Sequence, residues 1–262
     1  MTNEFTSNAA TQTSLAGMTA IVTGGGKGLG LGIAKDLALN GCRVALWDLD
    51  QAALDAAVTE VSATGSEANP FKVDVSSQDH VERAVQDLVG RTGRIDILVN
   101  NAGIAGDQLI SKMEVDFWER VLRVNLTSQF ICSKAVIPLM VEKKFGRIIN
   151  ISSRAWLGNR GQTAYSSSKG GVVSFTRSLA LEFARSGITV NAIAPGIVDT
   201  PLFGTLKPDV QEGLKRSVPM QRLGLPEDVA NAVRFFALPS SHYVTGQLLY
   251  VCGGRSLSSP SV

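Results

Sequence analysis

Tyr165 and Lys169 are the pair in this chain whose types and spacing could do chemistry. They stand four residues apart in a segment of helical periodicity, residues 164–183, so they share one helix face, one turn apart. A free tyrosine titrates at about 10. A neighbouring ammonium favours the phenolate and lowers that value. A lowered phenol can give or take a proton near neutral pH, as a general acid or base must. Two solvated surface residues could share the spacing. Here the pair is flanked by Ser166-Ser167-Ser168 and Gly170-Gly171, small residues suited to close packing rather than to a freely solvated helix.

Such a pair has to be held against something. Apolar runs of strand length fall at residues 20–22, 44–47, 71–75, 95–99, 148–151, 190–194 and 248–251. Segments with helical periodicity lie between them, at 29–39, 52–61, 81–89, 117–140, 164–183 and 228–236. Runs apolar on both faces imply a sheet covered on both sides. Alternation of the two patterns implies right-handed crossovers and parallel strands. The expected fold is α/β: a single-domain Rossmann fold, with a doubly wound seven-stranded parallel sheet. Residues 17–262 form that domain, and the polar, small residues 1–16 read as a mobile tail without the basic and apolar regions of a secretory signal.

The first strand-length run leads into Thr23-Gly24-Gly25-Gly26-Lys27-Gly28-Leu29-Gly30 and then into a helical run. Strand, glycine turn and helix are the layout of a phosphate cradle. Asp48 ends the second strand, about twenty residues further on, where a carboxylate can accept hydrogen bonds from a ribose diol. Asp48 and Asp50 could instead cap the next helix. The charge of Asp48 would repel a 2′-phosphate, so NAD is expected over NADP. Lys27 could attract that phosphate, but reads as a solvated lysine at a helix start. Asp74 could accept from an adenine amino group, or serve as a loop acid before a Ser77 cap. Asn100-Asn101-Ala102-Gly103 suits backbone passing close to a ligand, or a plain turn.

Composition narrows the classes. With 44% hydrophobic and 18% charged residues and a net charge of +2, neither a nucleic-acid nor a membrane partner is implied. No uninterrupted apolar run is long enough to span a bilayer. Cys42, Cys132 and Cys252 are scattered, odd in number and on apolar segments, which reads as reduced, buried thiols in a cytoplasmic protein. His80 and His242 are isolated, so no metal site and no histidine-based triad is expected.

In order along the chain stand Thr-Gly-x-x-x-Gly-x-Gly at Thr23, Gly24, Gly28 and Gly30, then Asn-Asn-Ala-Gly at residues 100–103. Tyr-x-x-x-Lys follows at Tyr165 and Lys169, and Pro-Gly-Ile-Val-Asp-Thr at residues 195–200. The chain resembles the classical short-chain dehydrogenases/reductases from about residue 15 to about residue 256. The resemblance implies hydride transfer between a nicotinamide dinucleotide and a secondary alcohol or ketone. It implies Tyr165 as catalytic acid/base, with Lys169 lowering its pKa and binding the nicotinamide ribose. Asn125 would hold a water of a proton relay, and a serine after the fifth strand would orient the substrate oxygen. Counting along the strand gives Ser153; counting back from Tyr165 gives Ser152. Neighbouring strand residues face opposite ways, so only one can serve; Ser153 is favoured, since loops absorb deletions more easily than strands. Cofactor contacts are implied at Thr23, Gly24, Gly28, Leu29, Gly30, Asp48, Asp74, Val75, Asn101, Gly103, Pro195, Gly196, Ile197 (backbone) and Thr200, besides Tyr165 and Lys169. Cys252 stands where the family often has aspartate, and reads as a small packed residue.

Three loops, 104–112, 154–164 and 202–222, should border the substrate. The first two bring Ile104, Leu109, Trp156 and Leu157. The third, with Phe203, Leu206, Val218 and Met220 around a polar middle, reads as a lid. A mostly apolar pocket suggests a neutral or weakly polar small-molecule substrate. Two alternatives stand beside this reading. A 3-oxoacyl-carrier-protein reductase usually uses NADPH and needs a basic patch, which Lys143, Lys144, Arg147 and Arg185 could supply. A non-catalytic dinucleotide sensor could keep the glycines and lose Tyr165 or Lys169. By the same resemblance, helices 117–140 and 164–183 should pair across two-fold axes in a homotetramer.

Overall fold

The computed structural model describes residues 14–204 and 207–257. Most of the 1–16 tail, and Leu206 of the expected lid, lie outside the described residues. Seven strands form one parallel sheet: β1 (Thr19–Thr23), β2 (Arg43–Asp48), β3 (Ala68–Lys72), β4 (Ile97–Asn100), β5 (Gly146–Ile151), β6 (Ile188–Pro195) and β7 (Leu248–Val251). Their order is β3-β2-β1-β4-β5-β6-β7. The chain builds outward from β1 to β3, then crosses back and builds the other way from β4. The order therefore reverses between β1 and β4, and a crevice opens at the carboxyl ends of that pair.

Helices cover both faces, as strands apolar on both sides demand. On one face lie α1 (Gly28–Leu39) and α2 (Gln51–Ser62), with α3 (Gln78–Thr92) on the other. Next come α4 (Val115–Leu122), a π turn (Arg123–Thr127) and α5 (Ser128–Lys143). They are followed by α6 (Thr163–Phe183), the short α7 (Pro201–Gly204), α8 (Pro208–Arg216) and α9 (Pro226–Ala237). Ile33, Leu37, Leu54, Val229 and Phe236 fill one core, Leu88, Val136, Met140 and Leu179 the other. Each such side chain, fully buried, contributes about 1.5–3 kcal/mol relative to leaving it exposed.

Two elements depart most from the sequence reading. β3 sits at Ala68–Lys72 rather than 71–75, because pairing with β2 ends at Asp48–Lys72. The apolar alternation of Phe71, Val73 and Val75 runs on past that last pair, as buried loop residues. Pro70 is tolerated because β3 is an edge strand. The single helix expected over 117–140 is α4, a π turn and α5. The widened turn leaves the apolar rhythm on both sides intact, so periodicity did not reveal it. Together these pieces make a helical stretch, Val115–Lys143, of membrane-spanning length and apolarity. The lack of an uninterrupted apolar run did not foretell that; α5 puts Ile131, Cys132, Val136, Ile137 and Met140 into the core beneath the sheet.

A buried polar ladder ties this face together. Asn100 and Asn150 are register partners on β4 and β5. The Asn100 amide donates to Ser133 Oγ (3.2 Å) and Asn150 Oδ1 (2.9 Å), and the Asn150 amide donates to Thr176 Oγ1 (2.9 Å). Two neighbouring strands are thus linked to α5 and α6 by side chains that have no water to turn to. Cys42 and Cys132 are free and buried, and burial pushes both thiols up to about 12, which makes them inert packing groups; Cys252, expected to be buried with them, is only half-buried in the turn after β7.

Candidate active site

The crevice between β1 and β4 is stitched by side chains. Thr23 Oγ1 accepts from the backbone N–H groups of Asn101 (2.9 Å) and Ala102 (3.0 Å). The Asn101 amide donates back to the carbonyls of Thr23 (2.9 Å) and Gly24 (3.2 Å). Gly24 and Gly28 take φ of 64° and 56°, left-handed values that favour glycine. At Gly30 a Cβ would lie 2.0 Å from the Gly24 carbonyl oxygen and 2.7 Å from Asn101 Nδ2. Only glycine lets α1 start this close to the turn, with its first N–H groups unpaired along the helix axis. This open cradle fits a dinucleotide pyrophosphate. Leu29 lines the cleft beyond it.

The two acids after β2 divide their work. Asp50 caps α2, its side chain accepting from Ala53 N at 3.1 Å. Asp48 does not cap; its Oδ2 accepts from Gly26 N and its Oδ1 from Asp50 N, both at 3.1 Å. The carboxylate therefore sits on the rim of the glycine turn. Lys27 is exposed and pairs at 3.5 Å with Asp50. Asp74 takes the loop-acid arrangement: its Oδ1 accepts from Ser76 N (2.9 Å) and Ser76 Oγ (2.7 Å), and Ser77 caps α3. Val75 beside it is buried.

At the far end, a cleft of about 290 Å³ is lined by Leu29, Asn101, Gly103, Ser153, Tyr165, Lys169, Pro195, Gly196 and Thr200. Residues named from motifs far apart in sequence thus share one cavity. Thr23, Gly24, Gly28, Gly30, Asp48, Asp74 and Val75 lie outside it, toward the β1 and β2 end. Thr200 and Pro201 are the atoms nearest a Cβ placed on Gly28, at 3.8–3.9 Å, so the two ends approach each other across the crevice. Ile197 lines the neighbouring and larger cleft along β7, of about 540 Å³, and its carbonyl accepts from Gly224 N at 2.9 Å.

The two serines are not equivalent. Ser152 is buried, and its hydroxyl donates to the Lys169 carbonyl at 2.8 Å. Ser153 Oγ accepts from Ala155 N at 3.1 Å, and its hydroxyl lies by the Tyr165 phenol, whose pKa it acts to lower. Lys169 Nζ donates to the Ile151 carbonyl at 2.9 Å and lies 5.7 Å from the centre of the Tyr165 ring. Burial pulls its pKa down to about 8. Tyr165 itself is raised rather than lowered. Burial is the largest cause, the Ser153 hydroxyl acts against it, and the charge of Asp107 adds to it. The lowering expected from Lys169 is not among the causes, and loss of water by the phenolate dominates.

Asn125 sits in the π turn and is fully buried. Its Oδ1 accepts from Ile104 N at 2.8 Å; its amide donates to Ile104 O at 3.0 Å and Ser168 Oγ at 3.2 Å. The carboxamide thus clamps the peptide of a cleft-lining residue and leaves one lone pair of Oδ1 unused by these bonds. Gly103 packs closely beside it: a Cβ there would lie 3.1 Å from Asn125 Oδ1 and 3.5 Å from Lys169 Nζ. Two further residues carry no motif and escaped the sequence reading: Gln162 donates to Asp107 Oδ1 at 2.7 Å, and Gln108 N donates to Gly161 O at 2.7 Å. These bonds latch loops 104–112 and 154–164 together. In the third loop Phe203 and Val218 are buried, whereas Met220 is exposed.

A family model described as enoyl-(acyl carrier protein) reductase matches residues 24–256. The chain belongs to the short-chain dehydrogenase/reductase family. It is 45% identical over 238 residues to the (2S)-[(R)-hydroxy(phenyl)methyl]succinyl-CoA dehydrogenase subunit BbsD of Thauera aromatica, covering 91% of this chain and 96% of that one. A 3-oxoacyl-[acyl-carrier-protein] reductase of Synechocystis is 42% identical over 245 residues, covering 92% and 98%. Among solved structures, levodione reductase superposes with a TM-score of 0.89 at 32% identity, over 93% of this chain and 99% of that one. This short-chain dehydrogenase/reductase is therefore an oxidoreductase acting on CH–OH or keto groups.

Proposed function

We propose that this protein interconverts a secondary alcohol and a ketone with NAD(H), using Ser153, Tyr165 and Lys169 at the reacting oxygen. The observation that carries the reading is the convergence of those three side chains with Gly103, Pro195, Gly196 and Thr200 on one cleft. A bound nicotinamide dinucleotide would supply the hydride acceptor or donor. Thr23, Gly24, Gly28, Leu29 and Gly30 would hold its pyrophosphate, Asp48 a ribose, and Asp74 with Val75 the adenine. Asn101, Gly103, Pro195, Gly196, Ile197 and Thr200 would hold the nicotinamide half. The substrate oxygen sits between Ser153 Oγ, which donates to it, and Tyr165 Oη, which takes the hydroxyl proton or returns it. Lys169, buried beside the ring, would favour the phenolate and would bind the nicotinamide ribose. Asn125 acts as a positioning residue through Ile104.

NAD is favoured over NADP because Asp48 stands on the rim of the glycine turn and Lys27 is already engaged by Asp50. A second reading, reduction of a 3-oxoacyl thioester, draws support from the carrier-protein reductases among the relatives. Arg147 adds nothing to the basic patch that this would need. It is buried, and its guanidinium donates to the carbonyls of Leu238, Gly146, Gly187 and Pro239. The deciding experiment is a panel of cyclic alcohols, sugar alcohols, hydroxy acids and 3-oxoacyl thioesters, each with both dinucleotides. Turnover of the thioesters alone, with NADPH, would replace the first reading by the second. No turnover at all with intact dinucleotide binding would indicate a sensor.

We also infer a homotetramer. Phe130 on α5 and Leu181 on α6 are exposed at 48% and 83%, and Leu249 and Tyr243 near β7 are exposed too, giving two separate apolar faces. A monomer by light scattering would exclude this assembly.

The Asp107 charge raises the Tyr165 pKa. Removing it should therefore let the phenolate form at lower pH. Asp107→Asn, which keeps an oxygen for Gln162, is expected to move the acid limb of kcat/KM for alcohol oxidation to lower pH. A limb that stays in place or moves up would dissociate Asp107 from the proton transfer.

A further inference from the structure

Gln162 stands at the position that opens α6, where Ser, Thr, Asp or Asn usually accepts from the first free N–H groups. Its side chain makes no such bond. Its backbone carbonyl accepts from Ser166 N at 2.7 Å and starts the helix, while the side chain reaches sideways. Nε2 donates to Asp107 Oδ1 at 2.7 Å, and Oε1 accepts from Asn159 Nδ2 at 2.9 Å. Tyr165 follows three residues later, one turn away. Asp107 is therefore tied to the helical turn that carries the phenol.

Asp107 lies near the outer end of a short strap, residues 104–108, that borders the reaction cleft. Ile104 and Ala105 line that cleft together with Ser153 and Tyr165. The inner end of the strap is pinned by buried Asn125, which bonds both Ile104 N and Ile104 O. Its middle rests on Phe117, whose ring a Cβ on Gly106 would strike. The outer end is fastened at the surface, by the Asp107–Gln162 bond and by Gln108 N donating to Gly161 O at 2.7 Å. A strap fixed inside and fastened outside sets the width of the cleft beside it. The cleft's volume of about 290 Å³ is at the lower end of small-molecule sites, roughly 300–1,000 Å³, and the nicotinamide half must share it. The space left beside Tyr165 suits a compact substituent.

We propose that Asp107 and Gln162 form a catch that holds the 104–108 strap beside Tyr165, and so limits the alcohol or ketone to a compact group on that side. Both act as positioning residues. This rests on the redox reading above and narrows its substrate.

The test uses three variants. Gln162→Ala removes the donor, and Gln162→Asp sets two carboxylates face to face. Adding Asp107→Gln to Gln162→Asp restores a donor opposite an acceptor, with the ends exchanged. For each class of alcohol that reacts, a member with a methyl or ethyl substituent is compared with one carrying phenyl or hexyl. In both single variants the ratio of kcat/KM, bulky over compact, should rise at least about tenfold, through a lower KM for the bulky alcohol. The exchanged pair should return the ratio to the wild-type value. In a ratio within one preparation, partial misfolding and a changed tyrosine pKa cancel. A ratio unaltered in both single variants, or an exchanged pair that stays altered, overturns the catch. Hydrogen exchange at the Gln108 amide decides the same point without turnover. It should speed up at least about tenfold in the single variants, as loss of a charge-assisted bond implies, and slow again in the exchanged pair. Exchange indifferent to all three variants counts against the catch. Failure of every alcohol and ketone to react with either dinucleotide would instead defeat the redox reading, while exchange at Gln108 still judges the catch.

Discussion

Tyr165→Phe is expected to lower kcat/KM for alcohol oxidation by roughly 10²–10⁴-fold, the range that a positioned acid/base supplies. The substitution keeps the ring and removes one oxygen. The ring stays packed in α6, and Lys169 keeps its bond to the Ile151 carbonyl. Ser153 keeps its bond from Ala155 N. The cradle at Gly24, Gly28 and Gly30 is untouched, so NADH binding, read by fluorescence titration, should remain near the wild-type value. The two readouts separate chemistry from binding. Retained turnover would mean that another group moves the proton, and that the convergence of Ser153, Tyr165 and Lys169 has a different purpose.

Asp48→Ala should reverse or erase the dinucleotide preference. A carboxylate on the rim of the glycine turn imposes like-charge repulsion on a 2′-phosphate, which can cost several kcal/mol; each 1.4 kcal/mol is about tenfold. Alanine removes that repulsion and the acceptor for a ribose hydroxyl together. The ratio of kcat/KM for NAD⁺ over NADP⁺ is thus expected to fall by about 10–100-fold. Gly26 N loses its acceptor as well, so some loss with NAD⁺ is part of the same result. If the wild type already prefers NADP⁺, Asp48 does not set the choice.

Most of this architecture could be read from residue order. Alternating apolar and amphipathic runs are consequences of a sheet buried on both faces, and β7 fell where its apolar run lay. What escaped was whatever does not alter that rhythm. The π turn around Asn125 adds width without disturbing the apolar positions on either side of it. Edge strand β3 stops where its partner stops, although the alternation of Phe71, Val73 and Val75 continues. At the site, spacing could bring Tyr165 and Lys169 together but could not weigh burial against charge, and burial dominates for Tyr165. Neighbouring Ser152 and Ser153 gave two conflicting counts, and only the direction of each hydroxyl separates them. The Asp107–Gln162 latch joins distant segments through residue types too common to stand out.

The fastening of Lys169 has a thermodynamic consequence of its own. Its ammonium is tied to the end of β5 through Ile151, and its backbone carbonyl receives the Ser152 hydroxyl from the same strand end. A free lysine side chain would surrender about 1.5–2 kcal/mol of rotamer entropy on each encounter with a ligand. Here that ordering is completed when the chain folds, and the rotamer is already fixed when a ligand arrives. The catalytic end should then lose its competence only when β5 and α6 separate, so inactivation in urea and loss of the sheet's circular dichroism should trace one curve.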